Sequence, residues 1–143
     1  MNTENLDHEA VKKFDELASK WWDEEGEFKP LHQINPLRVS FIEERSFLKG
    51  KKILDVGCGG GILAEAMGQL GGKVTGIDAS PNTIGIAKAH SKSVNSGVIY
   101  IQKTIEEFIT TNPDEKFDVI TCLEMLEHVP SPLGVIQSCS SLL

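Results

Sequence analysis

At 143 residues with a net charge of −7, the chain is long enough for one domain with a real core and short for a complete doubly wound enzyme. The negative charge argues against nucleic acid, and against electrostatic binding to anionic lipid, as a partner. Its three cysteines, Cys58, Cys122 and Cys139, are an odd number without metal-ligand spacing, which suits a reducing compartment. With no signal peptide and no long apolar run, the expected location is cytoplasmic.

Asp7 is positioned to cap a helix whose apolar residues Val11, Phe14, Leu17, Ala18, Trp21 and Trp22 recur at three- and four-residue steps. Because this helix precedes the first strand, it is expected to lie over a ligand mouth, with Trp21 and Trp22 either packing or touching substrate. Glu25 to Pro36 reads as a loop broken by Pro30 and Pro36. Asn35-Pro36 then reads as an N-cap and first-turn proline for a helix to about Leu48, with Leu37, Phe41 and Ile42 facing inward. Arg38 falls in its first turn, where the helix dipole disfavours a cation, so a neighbouring anion is one expectation and a plain surface arginine the other. Residues 1–50 thus form a helical cap segment, and 51–143 the α/β part.

Lys52 to Val56 is a short apolar run interrupted by Asp55 and followed by Gly57-Cys58-Gly59-Gly60-Gly61. A run without polar alternation predicts a parallel strand covered on both faces. The glycines allow a sharp turn and close approach of a ligand. No Gly-Lys-Ser/Thr follows, which excludes a Walker loop. The dinucleotide fingerprint needs glycines at the first, third and sixth places, but Ile62 occupies the sixth, and an NAD-linked enzyme is disfavoured. Asp55 would repel a diphosphate and attract the ammonium of an amino-acid moiety. S-adenosylmethionine carries that ammonium and no phosphate, and its carboxylate is a candidate anion for Arg38.

Lys73 to Asp78 reads as the next strand, ending in an acid where a ribose-binding carboxylate belongs. Hydrogen bonds from two ribose hydroxyls to Asp78 would be worth about 1.5 to 3 kcal/mol each; the other reading is a solvated strand-end acid. A helix from Ile62 to Leu70, stopped by Gly71-Gly72, separates these two strands. Ser80-Pro81 starts another helix to about Ser93. A strand over 98–101, a short helix over 105–110 and a fourth strand over 117–122 follow. This alternation predicts a Rossmann-like, doubly wound parallel sheet with ligands at the carboxyl ends of its strands. Past the fourth strand, Glu124, Glu127 and His128 are spaced for one helical turn. They could hold a hard divalent cation such as Mg2+, or offer His128 as a general base, or form only a charged rim. A last helix follows Ser131-Pro132 and carries Val135, Ile136, Cys139 and Leu142.

Several segments together resemble the ubiquinone biosynthesis O-methyltransferase family: Trp21-Trp22-Asp23, Gly26 to His32, Ile34-Asn35-Pro36-Leu37-Arg38, Leu54 to Glu65 and Glu124 to Pro130. The glycine motif alone would indicate only a class I methyltransferase; the stretch from Trp21 to Arg38 is more specific. The resemblance implies S-adenosylmethionine-dependent methylation of a phenolic hydroxyl on a polyprenylated catechol or demethylubiquinol, with possible peripheral attachment to the inner membrane. Matched by position, Arg38, Gly57, Asp78 and Leu123 correspond to cofactor contacts, beside Asp55, Gly59 and Gly61 of the same loop. Glu124, Glu127 and His128 correspond to magnesium ligands, and Glu124 and His128 to the catalytic groups. Members of that family continue beyond the helix that ends this chain. The expectation is therefore a sheet truncated after its fourth strand and following helix, with that strand as an open edge suited to a homodimer. A noncatalytic cofactor- or partner-binding fragment is the alternative.

Overall fold

The computed structural model describes residues 5–143. Four strands, β1 (Lys52–Val56), β2 (Lys73–Asp78), β3 (Ile99–Gln102) and β4 (Val119–Thr121), form one parallel sheet in the order β3-β2-β1-β4. The chain winds outward from β1 to β3 and then returns to the other side of β1. That reversal opens a crevice beyond the carboxyl ends of β1 and β4.

Each face of the sheet is covered, as the uninterrupted apolar run of β1 requires. Ile53 and Val74 pack with Ala64 and Met67 of α3 (Ile62–Gln69) and Ile84 and Ala87 of α4 (Pro81–Val94). On the opposite face Leu54, Val56 and Ile77 pack with Ile105 and Phe108 of α5 (Ile105–Thr111) and Val135 of α6 (Pro132–Ser141). Side-chain caps start the helices where expected: Ser80 accepts from the Thr83 amide, Thr104 from Glu107 and Ser131 from Gly134. The fourth strand begins two residues later than expected because the Phe117 amide donates to the Leu142 carbonyl, and Phe117 is thereby fastened to the end of α6. β4 pairs with β1 alone and forms one edge of the sheet.

The N-terminal segment departs further from expectation. α1 (His8–Leu17) is capped by Asp7 as foreseen, but it ends in a 3-10 turn over Ala18–Lys20. Trp21 and Trp22 therefore lie beyond the helix, free to turn to different sides of the glycine loop. The loop expected over 25–36 is two-thirds helix: α2 runs unbroken over Lys29–Ser46, with Pro30 in its first turn and Pro36 inside it. Phe28, stacked on Trp21 with centroids 4.1 Å apart, and Leu31 anchor this earlier start in an aromatic cluster. Tertiary packing here overrides the breaker at Pro36, which removes one helical hydrogen bond. The inward face also changes. Leu31, Asn35, Arg38 and Ile42, at four-, three- and four-residue steps, face the cleft or core, whereas Leu37 and Phe41 are 72 % and 57 % exposed.

Candidate functional site

A cleft of about 400 Å³ opens at the carboxyl ends of β1, β2 and β4, roofed by α1 and flanked by α2. Its floor is the glycine loop. The Gly57 and Cys58 amides both donate to the Ile77 carbonyl, at 2.9 and 3.0 Å, which ties the loop to β2. Gly59 and Gly61 have φ of +55° and +96°, in the left-handed region. The group that approaches Gly59 and Gly60 most closely is not a ligand but the chain's own Trp21: a Cβ at either glycine would stand 2.2 or 2.3 Å from its indole. At Gly61 a Cβ would stand 2.1 Å from the Tyr100 hydroxyl, which is buried without a hydrogen-bond partner.

Two carboxylates face the cleft in different surroundings. Asp78 is oriented by backbone alone, accepting from the Gly59 amide and from the Ser80 amide, both at 3.0 Å. Burial raises its pKa and these amides oppose the rise. Its remaining lone pairs are available to a ligand's hydroxyls. Asp55, only 3 % exposed, accepts one hydrogen bond from the Thr121 hydroxyl at 2.8 Å. Burial pushes its pKa up to about 7; the Thr121 hydrogen bond lowers it, and the negative charge of Asp78 raises it further. The desolvated acid thus lacks a cation. A ligand carrying positive charge beside Asp55 and vicinal hydroxyls beside Asp78 would match both.

The other expected residues are brought to the same cleft with two exceptions, Gly61 and Glu127. Arg38, Gly57, Gly59, Leu123, Glu124 and His128 line it. Gly61 stands between the lining residues Gly59 and Ile62, at the start of α3. Arg38 and Glu124 form an ion pair with each other, so the anion expected near Arg38 is a protein carboxylate. His128 packs edge-on against Phe14 of α1, with centroids 5.1 Å apart.

The helical turn expected to gather Glu124, Glu127 and His128 does not form. Glu124 adopts a left-handed φ of +55°, and only Leu126–His128 make a short 3-10 turn. Glu124 is drawn to Arg38, Glu127 lies outside the cleft lining, and the Glu127 carboxylate stands 3.7 Å from His128 Nε2. Among the described residues no three His, Cys, Asp or Glu side chains are grouped to hold a metal. The triad as arranged does not fit Mg2+.

Trp21, expected to pack or to touch substrate, packs on the loop. Two contributors escaped the sequence: Asn35 donates to the Ile62 carbonyl at 3.3 Å instead of capping a helix, and Asp15 joins α1 to the start of α4. The Asp15 carboxylate accepts from the Ser80 hydroxyl, the Asn82 amide and Asn82 Nδ2 at 2.7, 2.8 and 2.7 Å. The amphipathic stripe gave a signal for Trp21; no local pattern marks Asp15.

A doubly wound parallel sheet with its cleft at the switch point, a glycine loop after β1 and an acid ending β2 define the class as a Rossmann-like α/β domain. The fold agrees with that of a magnesium protoporphyrin IX methyltransferase from Synechocystis solved with bound S-adenosylmethionine: TM-score 0.75, 21 % identity, covering 98 % of this chain and 74 % of that one. A putative S-adenosyl-L-methionine-dependent methyltransferase from Methanococcus maripaludis aligns with TM-score 0.69 and 18 % identity, over 100 % of this chain and 62 % of that one. The model of the methyltransferase domain family matches residues 31–143, and the chain belongs to that family.

Among curated relatives, the ubiquinone biosynthesis O-methyltransferase of Vibrio cholerae is 53 % identical over 98 % of this chain and 57 % of its own length. That of Vibrio parahaemolyticus is 54 % identical over 97 % of this chain and 59 % of its own. The Klebsiella pneumoniae enzyme of the same name is 53 % identical over 96 % and 57 %. The chain therefore spans somewhat under three fifths of the length of these relatives.

Proposed function

We propose that the cleft binds S-adenosylmethionine, and that these residues form the cofactor-binding part of an O-methyltransferase acting on the phenolic hydroxyl of a polyprenylated catechol or demethylubiquinol. The observation that carries the reading is the pair of cleft carboxylates. The ligand's ammonium and sulfonium supply the positive charge that buried Asp55 lacks, and its ribose hydroxyls meet Asp78, already aimed by two amides. Arg38 exchanges Glu124 for the ligand's carboxylate, a trade between two charge-assisted pairs. Identity above 50 % to relatives named for ubiquinone biosynthesis supports the substrate class.

Held by Asp55, Asp78 and Arg38, S-adenosylmethionine would supply an electrophilic methyl group to the phenolic oxygen, the S–CH3 bond being exchanged for an O–CH3 bond with S-adenosylhomocysteine as the leaving group. The phenolic proton passes to His128, which faces the cleft and is steadied by Phe14. Glu124, once released by Arg38, orients the ring through a second hydroxyl. No step is assigned to Mg2+. The exposed apolar side chains Leu37 and Phe41, next to cleft-lining Arg38 on α2, suit a lipophilic substrate and support peripheral contact with a membrane from the cytoplasmic side. The open edge at β4 supports a homodimer.

A second reading, a cofactor-binding module that does not catalyse, is also consistent with a match to 57 % of the relative's length. Calorimetric titration with S-adenosylhomocysteine and a methyl-transfer assay on a soluble catechol separate the two. Saturable binding lost in Asp78→Ala supports the cofactor site, and turnover lost in His128→Ala supports the enzyme. Binding without turnover leaves the module, and no binding sinks both readings.

A further inference from the structure

Trp21 and Trp22 are adjacent in sequence but clasp the glycine loop from two sides. Trp21 lies against Gly59 and Gly60 and lines the cleft. Trp22 turns outward and its indole Nε1 donates to the Gly60 carbonyl at 2.8 Å. The neighbouring Gly59 amide is the one held by Asp78, so the two peptides flanking this corner are fastened to opposite partners. The Trp22 ring stacks on His90 of α4, with centroids 3.5 Å apart and planes 3° from parallel. His90 Nδ1 in turn bonds both carboxylate oxygens of Glu65, at 2.7 and 3.0 Å. Glu65 sits in the first turn of α3, directly after the loop, and is only 3 % exposed. His32 of α2 closes the group: it meets Trp22 edge-on at 5.6 Å, and its Nε2 lies 2.9 Å from the Trp21 carbonyl.

We infer that Trp22, stacked on His90 and anchored through it to Glu65, is a positioning residue for the cofactor loop, and that it couples docking of the N-terminal segment to occupation of the cleft. The inference rests on the cofactor reading proposed above. Three elements form one relay that ends on the Gly60 carbonyl: the segment after α1 brings Trp22, α4 brings His90 beneath it and α3 brings Glu65 beneath His90. A carbonyl bonded to an indole N–H has its peptide plane fixed, and that plane carries the Gly61 amide on its other end. The coupling follows from the peptide bond between residues 21 and 22. Any backbone shift that carries Trp21 off the cleft draws Trp22 with it, so a ligand that displaces this segment loads the Trp22–Gly60 hydrogen bond.

Trp22→Phe is the direct test, since it keeps an aromatic face for His90 and removes the N–H with the smaller ring that carries it. S-Adenosylhomocysteine binding by calorimetry should weaken about fivefold, the equivalent of one neutral hydrogen bond. A role confined to packing would lower the melting temperature and leave the binding constant alone. His90→Ala, which removes the support under the indole, should weaken binding in the same direction, and the double variant should lose less than the sum of the two. The chain has two tryptophans, so Trp22 is the sole indole in Trp21→Phe; its emission should shift when S-adenosylhomocysteine is added. Binding within twofold of the parent in Trp22→Phe, or an emission that ignores saturating ligand, overturns the inference. A parent protein that fails to bind S-adenosylhomocysteine brings down the cofactor reading itself, whereas a parent that binds beside an indifferent Trp22→Phe brings down only the coupling.

Discussion

The two walls of the cleft are held in different ways. The floor, from β1 through the glycine loop to α3, is fixed by backbone: amides of the loop donate into β2 and to Asp78, and apolar residues bury both faces of the strand. The roof, α1 and the segment to Trp22, contains no fully buried residue in its helix. It is held by side chains: Asp15 at the start of α4, Asn5 at the Ser131 backbone, and the aromatic group on the loop. Backbone ladders open only with global unfolding, whereas a helix pinned by a few polar side chains opens on its own. A site that must admit and release a nucleoside needs that asymmetry, and the molecule places it between floor and roof.

The floor breaks most severely at Gly61→Ala. The left-handed φ would cost about 1–2 kcal/mol, and a Cβ driven toward the Tyr100 hydroxyl about 1–3 more, so denaturant unfolding should show a loss of about 2–5 kcal/mol. Adding Tyr100→Phe, which removes the obstructing oxygen, should return part of it. Asp55→Asn acts in the opposite direction. Because burial raises the folded pKa of Asp55 to about 7 from 3.8, its contribution to stability is present in full below 3.8 and is lost as pH climbs through about 7. Asparagine removes that loss. At pH 8 the variant should be more stable by up to about 4 kcal/mol, one pKa unit being about 1.4, at pH 4 the two should nearly coincide, and the variant should bind S-adenosylhomocysteine more weakly.

Asp15→Ala sharpens the contrast from the roof side. Loss of its bonds to Ser80 and Asn82 should lower global stability by only about 1 kcal/mol, but hydrogen exchange in residues 8–17 should quicken well before exchange in β1. The smallest effect belongs to Leu37→Ser. This side chain is mostly exposed, and stability should stay within about 0.5 kcal/mol; a larger drop would mean that the outer face of α2 is covered in solution.

The same division governs what could be read in advance. The floor was legible because its rules are local: an apolar run of strand length, glycines where φ turns positive, Ser-Pro and Thr caps, and an acid closing the second strand. So the sheet, its order of elements, and the meeting of Asp55, Gly57, Gly59 and Asp78 at one cleft followed from spacing. The roof and flank depend on contacts far apart in sequence. Nothing near Pro36 indicates that Phe28 would stack on Trp21 and start α2 seven residues before the expected Pro36. The docked face of α2 is set by Leu31, Asn35, Arg38 and Ile42, which leaves Leu37 and Phe41, expected to face inward, exposed. Likewise the spacing of Glu124, Glu127 and His128 is that of a helical turn, but the attraction between Glu124 and Arg38, eighty-six positions apart, takes the first of them out of it.

The central claim is that Asp55 and Asp78 together receive a positively charged nucleoside. Calorimetry of S-adenosylhomocysteine binding across pH 6 to 8, in buffers of differing ionisation heat, tests it most directly. With Asp55 titrating near 7 and deprotonating as the ammonium arrives, affinity should rise with pH and about half a proton should be released at pH 7; Asp55→Asn should abolish the release and Asp78→Asn the tight binding. Binding that is independent of pH and of both carboxylates, or no binding at all, would contradict the account.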